Sequence, residues 1–212
     1  MWVVDIEKAL DAADLLAMVD KWPRHSIFRV PPRFGAVHGG VFRPQTVALG
    51  PFHHKDAALG PMEEHKRRAV RHLLRRAGKT LGELAAAVEG VAVELEDAYA
   101  GLGGEWRGEN RGRFLEMMVA DGCFLLEVMR RRSDNYAPRD PVFSRHTAGH
   151  IAPFMQRNML MIENQLPLLV LDRLLAVETG KDGVRADFEL DLIICNFIFA
   201  RWNCLNNLAL IR

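Results

Sequence analysis

Cysteine is scarce, long apolar runs are missing and neither charge dominates, and these absences set the first limits on this 212-residue chain. Cys123, Cys195 and Cys204 are odd in number and too widely spaced for a zinc knuckle, and their apolar neighbours suit buried, reduced thiols. A reducing compartment is therefore expected, the cytoplasm first, with the nucleus or a membrane periphery compatible with the same chemistry. The apolar stretch Leu192 to Ala200, broken only by Asn196, has about half the length that a bilayer-spanning helix requires. Acids appear by Glu7, where a secretory leader is basic and then apolar, so neither secretion nor direct membrane insertion is expected. With 28 Lys and Arg against 27 Asp and Glu, the formal charge of +1 supplies no overall field for nucleic acid or anionic lipid.

Catalytic signatures are missing as well. None of Ser26, Ser133 and Ser144 sits in a Gly-x-Ser-x-Gly elbow, and no cysteine carries a local Cys/His signature. Gly101-Leu102-Gly103-Gly104 follows a helical pattern, whereas a phosphate-cradling loop follows a strand. His53 and His54, with His65 downstream, are adjacent imidazoles that cannot both face one ion from regular structure, and no carboxylate completes a ligand spacing. No catalytic residue, metal site or cofactor is assigned.

What is present is an ordinary globular mixture, 49% hydrophobic and 26% charged, in a chain long enough to bury roughly 70% of its unfolded surface. The fold class expected is mainly α: a single-domain helical bundle with a proline-rich extended segment over residues 24–61, preceded by an N-terminal helix (1–22) and followed by a divergent apolar tail (191–212), with the helical domain spanning 23–190. Ile6, Leu10, Ala13 and Leu16 recur at helical spacing before Trp22-Pro23. Pro61 and Gly78 bracket a helix from Met62 to Ala77, with Glu63-Glu64 and Arg75-Arg76 complementing its dipole. Thr80 and Glu83 form a capping box for a second helix, whose Leu81, Leu84, Val88, Val91, Leu95 and Ala98 predict a seam against the first in a helical hairpin. Residues 101–113 hold five glycines and read as a mobile connection. Phe114, Met117, Met118, Phe124, Leu125 and Val128 then stripe a helix over 113–131, and 151–177 has a helical pattern interrupted by Pro167, where a helix must kink or restart.

Three constellations invite a functional reading. The basic run Lys66, Arg67, Arg68, Arg71, Arg75 and Arg76 can neutralise phosphates, but Glu83, Glu89, Glu94, Glu96 and Asp97 on the next helix favour internal charge matching, so nucleic acid is not the expected partner. Asp121 and Glu163 lie within apolar stripes, where desolvation raises carboxylate pKa values; a converging pair would support acid–base chemistry, whereas structural pairing is the commoner fate of such acids. In Glu163-Asn164-Gln165-Leu166-Pro167, the proline leaves a helical carbonyl without its donor, and Asn164 and Gln165 are expected to serve it or to cap the restarted helix.

Several ordered blocks also resemble one plant family, domain of unknown function 247. They are Ile27-Phe28-Arg29-Val30-Pro31; Val47-Ala48-Leu49-Gly50-Pro51-Phe52-His53-His54; Met62-Glu63-Glu64-His65-Lys66; Phe114 to Glu127, which contains Asp121-Gly122-Cys123-Phe124; and Asn158 to Pro167. The resemblance implies no enzymatic activity. It implies a recognition or regulatory protein acting through protein–protein contact, in reproduction, as in pollen compatibility or fertility, or in signalling. Members are about twice this length and commonly end in a membrane helix; Asn158 stands where an acid is usual, and Glu96-Asp97-Ala98-Tyr99 replaces an arginine-cysteine-tyrosine element. The expectation is a short form whose partner is a protein, including a full-length relative with which it competes. The alternatives carried forward are a hydrolase-like enzyme using Asp121 and Glu163, and phosphate or nucleic-acid binding by Arg67, Arg71 and Arg75.

Overall fold

The structure, a computed structural model, describes residues 25–34, 39–130, 136–181 and 188–199, together with Val3 and Ile6. Of the expected N-terminal helix (1–22) only Val3 and Ile6 are described, both helical and exposed, and the end of the apolar tail lies outside the described residues. Among the described residues the helices longer than one turn are, in chain order, α1 (Met62–Ala77), α2 (Leu81–Glu89), α3 (Ala92–Asp97), α4 (Arg111–Arg130), α5 (Arg145–Met159), α6 (Leu168–Thr179) and α7 (188–199). Among the described residues there is no strand, only an isolated parallel bridge between Ile27 and Tyr99, so the chain is mainly α as expected.

Local chemistry sets the first helix limits. Pro61 occupies the N-cap position of α1, and Gly78 ends the helix in the left-handed conformation at φ 64°, donating its N–H to the Leu74 carbonyl. Thr80 Oγ1 accepts from the Glu83 amide while the Glu83 carboxylate accepts from the Thr80 amide, completing the capping box. The second helix does not run through to Ala98 as its spacing implies. It stops at Glu89 and restarts as α3 after Gly90 and Val91, where a glycine without a Cβ favours the break.

The central element is α4, buried on most of its circumference by Phe114, Met117, Met118, Cys123, Phe124 and Leu126, among others. A helix apolar nearly all round must be enclosed, and α1, α2 and α6 enclose it. This corrects the expected hairpin. Leu84, Val88 and Leu95 are fully buried, but α2 packs on α6 and α4, and α1 on α4; the two consecutive helices lean apart. Three-then-four spacing reports that a helix has an apolar face without naming its neighbour.

Two further expectations change. Residues 101–113 are ordered: Trp106 is buried in a short 3-10 turn, edge-on to Phe114 and His54, and Arg111 clamps the Glu96 carboxylate at 2.6 Å. At Pro167, of the kink and the restart that the proline allows, the chain takes the restart, after a longer break than the sequence implies. α5 ends at Met159, residues 160–167 are non-helical, and α6 restarts with Pro167 at its N-cap position (φ −58°, ψ 134°). Meanwhile Val47, Ala48 and Leu49, from the proline-rich segment, are fully buried without belonging to a helix or a strand.

Candidate functional site

A buried segment outside regular structure must find partners for its backbone polar groups, because an orphaned amide or carbonyl costs on the order of a lost hydrogen bond. Side chains of α4, α5 and the 160–167 turn provide them. Asn158 Oδ1 accepts from the amides of Gln45 (2.9 Å) and Thr46 (3.0 Å), while its Nδ2 donates to the Phe154 carbonyl (2.8 Å). Asn164, fully buried, accepts from the Leu49 amide at 2.7 Å and donates to the Val47 and Asn158 carbonyls at 3.1 and 3.0 Å. Its carboxamide therefore stands in for a neighbouring strand, and the expected service to a carbonyl freed by Pro167 is not what it does.

Gly50 ends this segment at φ 71°, the left-handed region that favours glycine. A Cβ there would lie 2.8 Å from the Tyr99 hydroxyl oxygen and 2.9 Å from the Gln165 carbonyl oxygen, two groups already joined by a 3.0 Å hydrogen bond from Tyr99. The Gly50 amide donates to Asp121 Oδ2 at 2.8 Å, and Lys66 Nζ lies 2.6 Å from both Asp121 Oδ1 and Glu63 Oε1. Lys66 and Asp121 are sealed from solvent. Burial opposes the lysine charge, yet the Asp121 and Glu63 carboxylates carry the Lys66 pKa above its usual value. Burial likewise raises Asp121, against the pull of Lys66 and the Gly50 amide.

Glu163 extends the same scaffold. Its Oε1 accepts from the Val30 amide at 2.6 Å and its Oε2 lies 3.2 Å from His53 Nε2. The two sequence-nominated acids thus hold neighbouring parts of one segment, Asp121 at Gly50 and Glu163 at His53, and neither lines the cavities described below. Pro51 is buried beside Gly50, Phe52 stacks edge-on to Tyr99 at 5.6 Å, and His54 does so to Trp106 at 5.3 Å. Gly122 faces α6 so closely that a Cβ would meet Leu174 and Val170 side-chain carbons at 2.5 and 2.8 Å, and Phe124 packs edge-on to Phe143. Among the described residues no group of three His, Cys, Asp or Glu is arranged to hold a metal ion.

A second polar cluster, which sequence reasoning missed, ties α1, α4 and α6 together. Arg76 Nη2 reaches Glu127 Oε1 at 2.5 Å and Glu178 Oε1 at 2.7 Å; Arg130 Nη1 pairs with Glu178 Oε2 at 2.7 Å, and the Tyr136 hydroxyl donates to Glu127 Oε2 at 2.9 Å. The lone signal in the sequence was Glu127 sitting on an otherwise apolar stripe. Cys123 is buried nearby, its thiol pushed well above the usual range by burial and by Glu127, whereas Cys195 is exposed, contrary to the expectation of uniformly buried thiols.

The basic run divides accordingly. Lys66, Arg68 and Arg76 turn inward, Arg68 pairing with the buried Asp140. The acids that answer them lie on α4, on α6, at Asp140 and at Glu63 within α1, so the expected matching with α2 and α3 is replaced by other partners; Glu83 bonds Lys79 and Glu96 bonds Arg111. Arg67, Arg71 and Arg75, one turn apart on α1, are exposed and form no ion pair among the described residues. Beside Arg67 opens a trough of about 450 Å³ between α1, α2 and α4. An apolar cavity of about 310 Å³ lies elsewhere, where Leu49, Leu125, Gln165, Leu171 and Phe197 meet. Among the described residues no helix is long and apolar enough to cross a membrane.

Residues 27–205 match the family described as a plant protein of unknown function, domain of unknown function 247. A UPF0481 protein of Arabidopsis thaliana is 34% identical over 164 residues, 77% of this chain and 33% of its own length. A putative UPF0481 protein of the same plant is 27% identical over 193 residues, 91% of this chain and 34% of its own length. The chain thus spans about a third of the length of these curated relatives, less than the half that the resemblance implied. No solved structure matches. With the family match running from the Ile27 bridge through the Asn164 clamp and beyond α7, the chain belongs to this plant family of unknown function, domain of unknown function 247.

Proposed function

We propose that this chain acts by recognising a protein partner, as a regulatory component of plant reproduction or signalling working in the cytoplasm, and not by catalysis. One observation carries the reading. The nominated catalytic groups are engaged inside the fold, Asp121 with Lys66 and Gly50 and Glu163 with Val30 and His53, while Arg67, Arg71 and Arg75 are exposed along one face of α1 and form no ion pair among the described residues. Charges that no internal partner requires are free to meet an external one. The hydrolase alternative needs two acids at a solvent-facing cleft, and Asp121 is 1% exposed.

The test is affinity capture from reproductive tissue, and against a full-length relative, with the native chain and with the Arg67→Glu/Arg71→Glu/Arg75→Glu variant. A reproducible partner lost by the triple variant supports the reading; an unchanged partner set on a folded variant overturns it. Salt-dependent binding to mixed oligonucleotides, abolished by the same substitutions, would transfer the face to nucleic acid.

A further inference from the structure

α1 and α2 are joined by Gly78-Lys79-Thr80 alone, and short connections of this kind usually bring helices together. Here they splay, because α1 rests on α4 while α2 rests mainly on α6. The splay leaves the trough of about 450 Å³, with Leu115, Val119 and Ala120 of α4 as its floor and Val70 and Ala85 on its walls. Leu81 stands at its edge, 56% exposed. Two helical walls over a helical floor of small and aliphatic side chains make the shape that a further helix fills, ridge into groove. No strand edge is available among the described residues for an extended peptide to join.

Charge narrows the occupant. The α1 wall carries Arg67 and the α2 wall carries Glu89, both exposed, while Glu116 belongs to the α4 floor and Arg71 and Arg75 follow Arg67 on successive turns outside the lining. The two walls thus carry opposite charges above a mainly aliphatic floor, so a neutral apolar ligand would leave both walls unanswered.

Resting on the reading of the α1 face as a recognition surface, we infer that the trough between α1 and α2 receives an amphipathic helix of the partner protein, apolar side down, with acidic residues along the edge facing Arg67 and basic residues along the edge facing Glu89. Reversal of the helix direction exchanges its edges, so what is recognised is one acidic and one basic edge together.

The probe is a fluorescent, hydrocarbon-stapled 18-residue peptide with a Leu/Ala stripe, Glu along one edge and Lys along the other, titrated onto the full chain by anisotropy. A control peptide carries Lys on both edges. Native protein is expected to bind the mixed-edge peptide about tenfold more tightly than the control, and Arg67→Glu/Arg71→Glu to reverse that preference, since each exposed charge is worth about two- to fivefold. Ala85→Phe, at an exposed wall position that leaves the core untouched, is expected to fill the trough and weaken both peptides by more than about thirtyfold. Equal binding of the two peptides, or binding indifferent to Ala85→Phe, overturns the proposal. So does a concentration-dependent dimer of the chain alone that Ala85→Phe abolishes, which puts a second copy in the trough. The two readings separate cleanly: a native partner that depends on Arg67, Arg71 and Arg75 but ignores Ala85→Phe keeps the recognition face and removes the trough. A partner indifferent to the arginines removes the face.

Discussion

Lys66 and Asp121 pose a problem of balance: two charges withdrawn from water, each retained because the other is 2.6 Å away. Desolvation of such a pair costs about as much as its attraction returns, so its presence adds little net stability, but removing one partner strands the other. Lys66→Met is therefore expected to lower the unfolding free energy by about 3–5 kcal/mol, with a large part recovered when Asp121→Asn is added, because asparagine keeps an acceptor for the Gly50 amide. Chemical denaturation of the singles and the double reads this directly, and additive losses would show that the pair is not coupled. His72 gives a second residue-scale test. It lies against the Tyr136 ring at 4.0 Å, and burial lowers its pKa; Glu127 opposes the shift, and Arg68, Arg75 and Arg76 reinforce it. With the folded value below the unfolded one, the unfolded chain takes up its proton first as pH falls, so the contribution of His72 is present above the unfolded value near 6.5 and lost as pH drops through the folded one. His53 and His65 are shifted in the same direction. Stability should fall from pH 7.5 to 5.5, and His72→Phe, which keeps the ring contact, should flatten that fall; an unchanged slope would discharge His72 from the role.

Among the elements, those whose limits depend on nearby residues were readable in advance. Pro61, Gly78 and the Thr80/Glu83 box act within a turn of themselves, so the ends of α1 and the start of α2 follow from local chemistry. Thr80→Ala is expected to cost about 1 kcal/mol by thermal or chemical unfolding, the usual worth of a cap. The partner of α2 was not readable, because Leu84 and Val88 would bury equally well against α1, α4 or α6. Trp106 was hidden for a related reason: its glycine-rich neighbours argue for mobility, and its aromatic contact with Phe114 outweighs them. Gly122 falls between these cases. A glycine inside a helix costs about 1 kcal/mol relative to alanine, which hints at a reason for its presence without stating one. The reason is α6, which approaches so closely that a methyl group has no room beside Val170, whose branched side chain is stiff, or Leu174. Gly122→Ala should therefore destabilise by about 1–2 kcal/mol despite its better helix propensity, and Val170→Ala in the same chain should return part of that loss. A stabilised Gly122→Ala protein would mean that α4 and α6 stand farther apart.

For the whole molecule, the decisive feature is a non-helical segment threaded into a helical core and held by side chains far away in sequence. Leu49 and Asn164 are 115 residues apart, and Val30 and Glu163 are 133 apart. The sequence marks Glu163-Asn164-Gln165 as polar residues in an apolar setting and Val47 to Leu49 as an apolar run among prolines, but each observation has a sufficient local explanation. No periodicity links one to the other. The polar residues before Pro167 were misread for that reason: they were assigned to serving the freed carbonyl or capping the restarted helix, when the break exists as a turn that aims Asn164 at another part of the chain. The clamp makes residues 45–50 and the helices one cooperative unit, because the Gln45, Thr46, Leu49 and Gly50 amides all end on side chains of α4, α5 or the 160–167 turn. In the native chain these amides should exchange with solvent only on global unfolding. Asn164→Ala would leave the Leu49 amide and the Val47 and Asn158 carbonyls unpaired, at about 1–3 kcal/mol for each group that water cannot reach. The segment should then open by itself: hydrogen exchange followed by mass spectrometry is expected to show protection lost over residues 45–50 while α1, α4 and α6 keep theirs. Uniform loss across both regions would mean that the helices cannot stand without the segment, and unchanged protection would mean that Asn164 does not hold it.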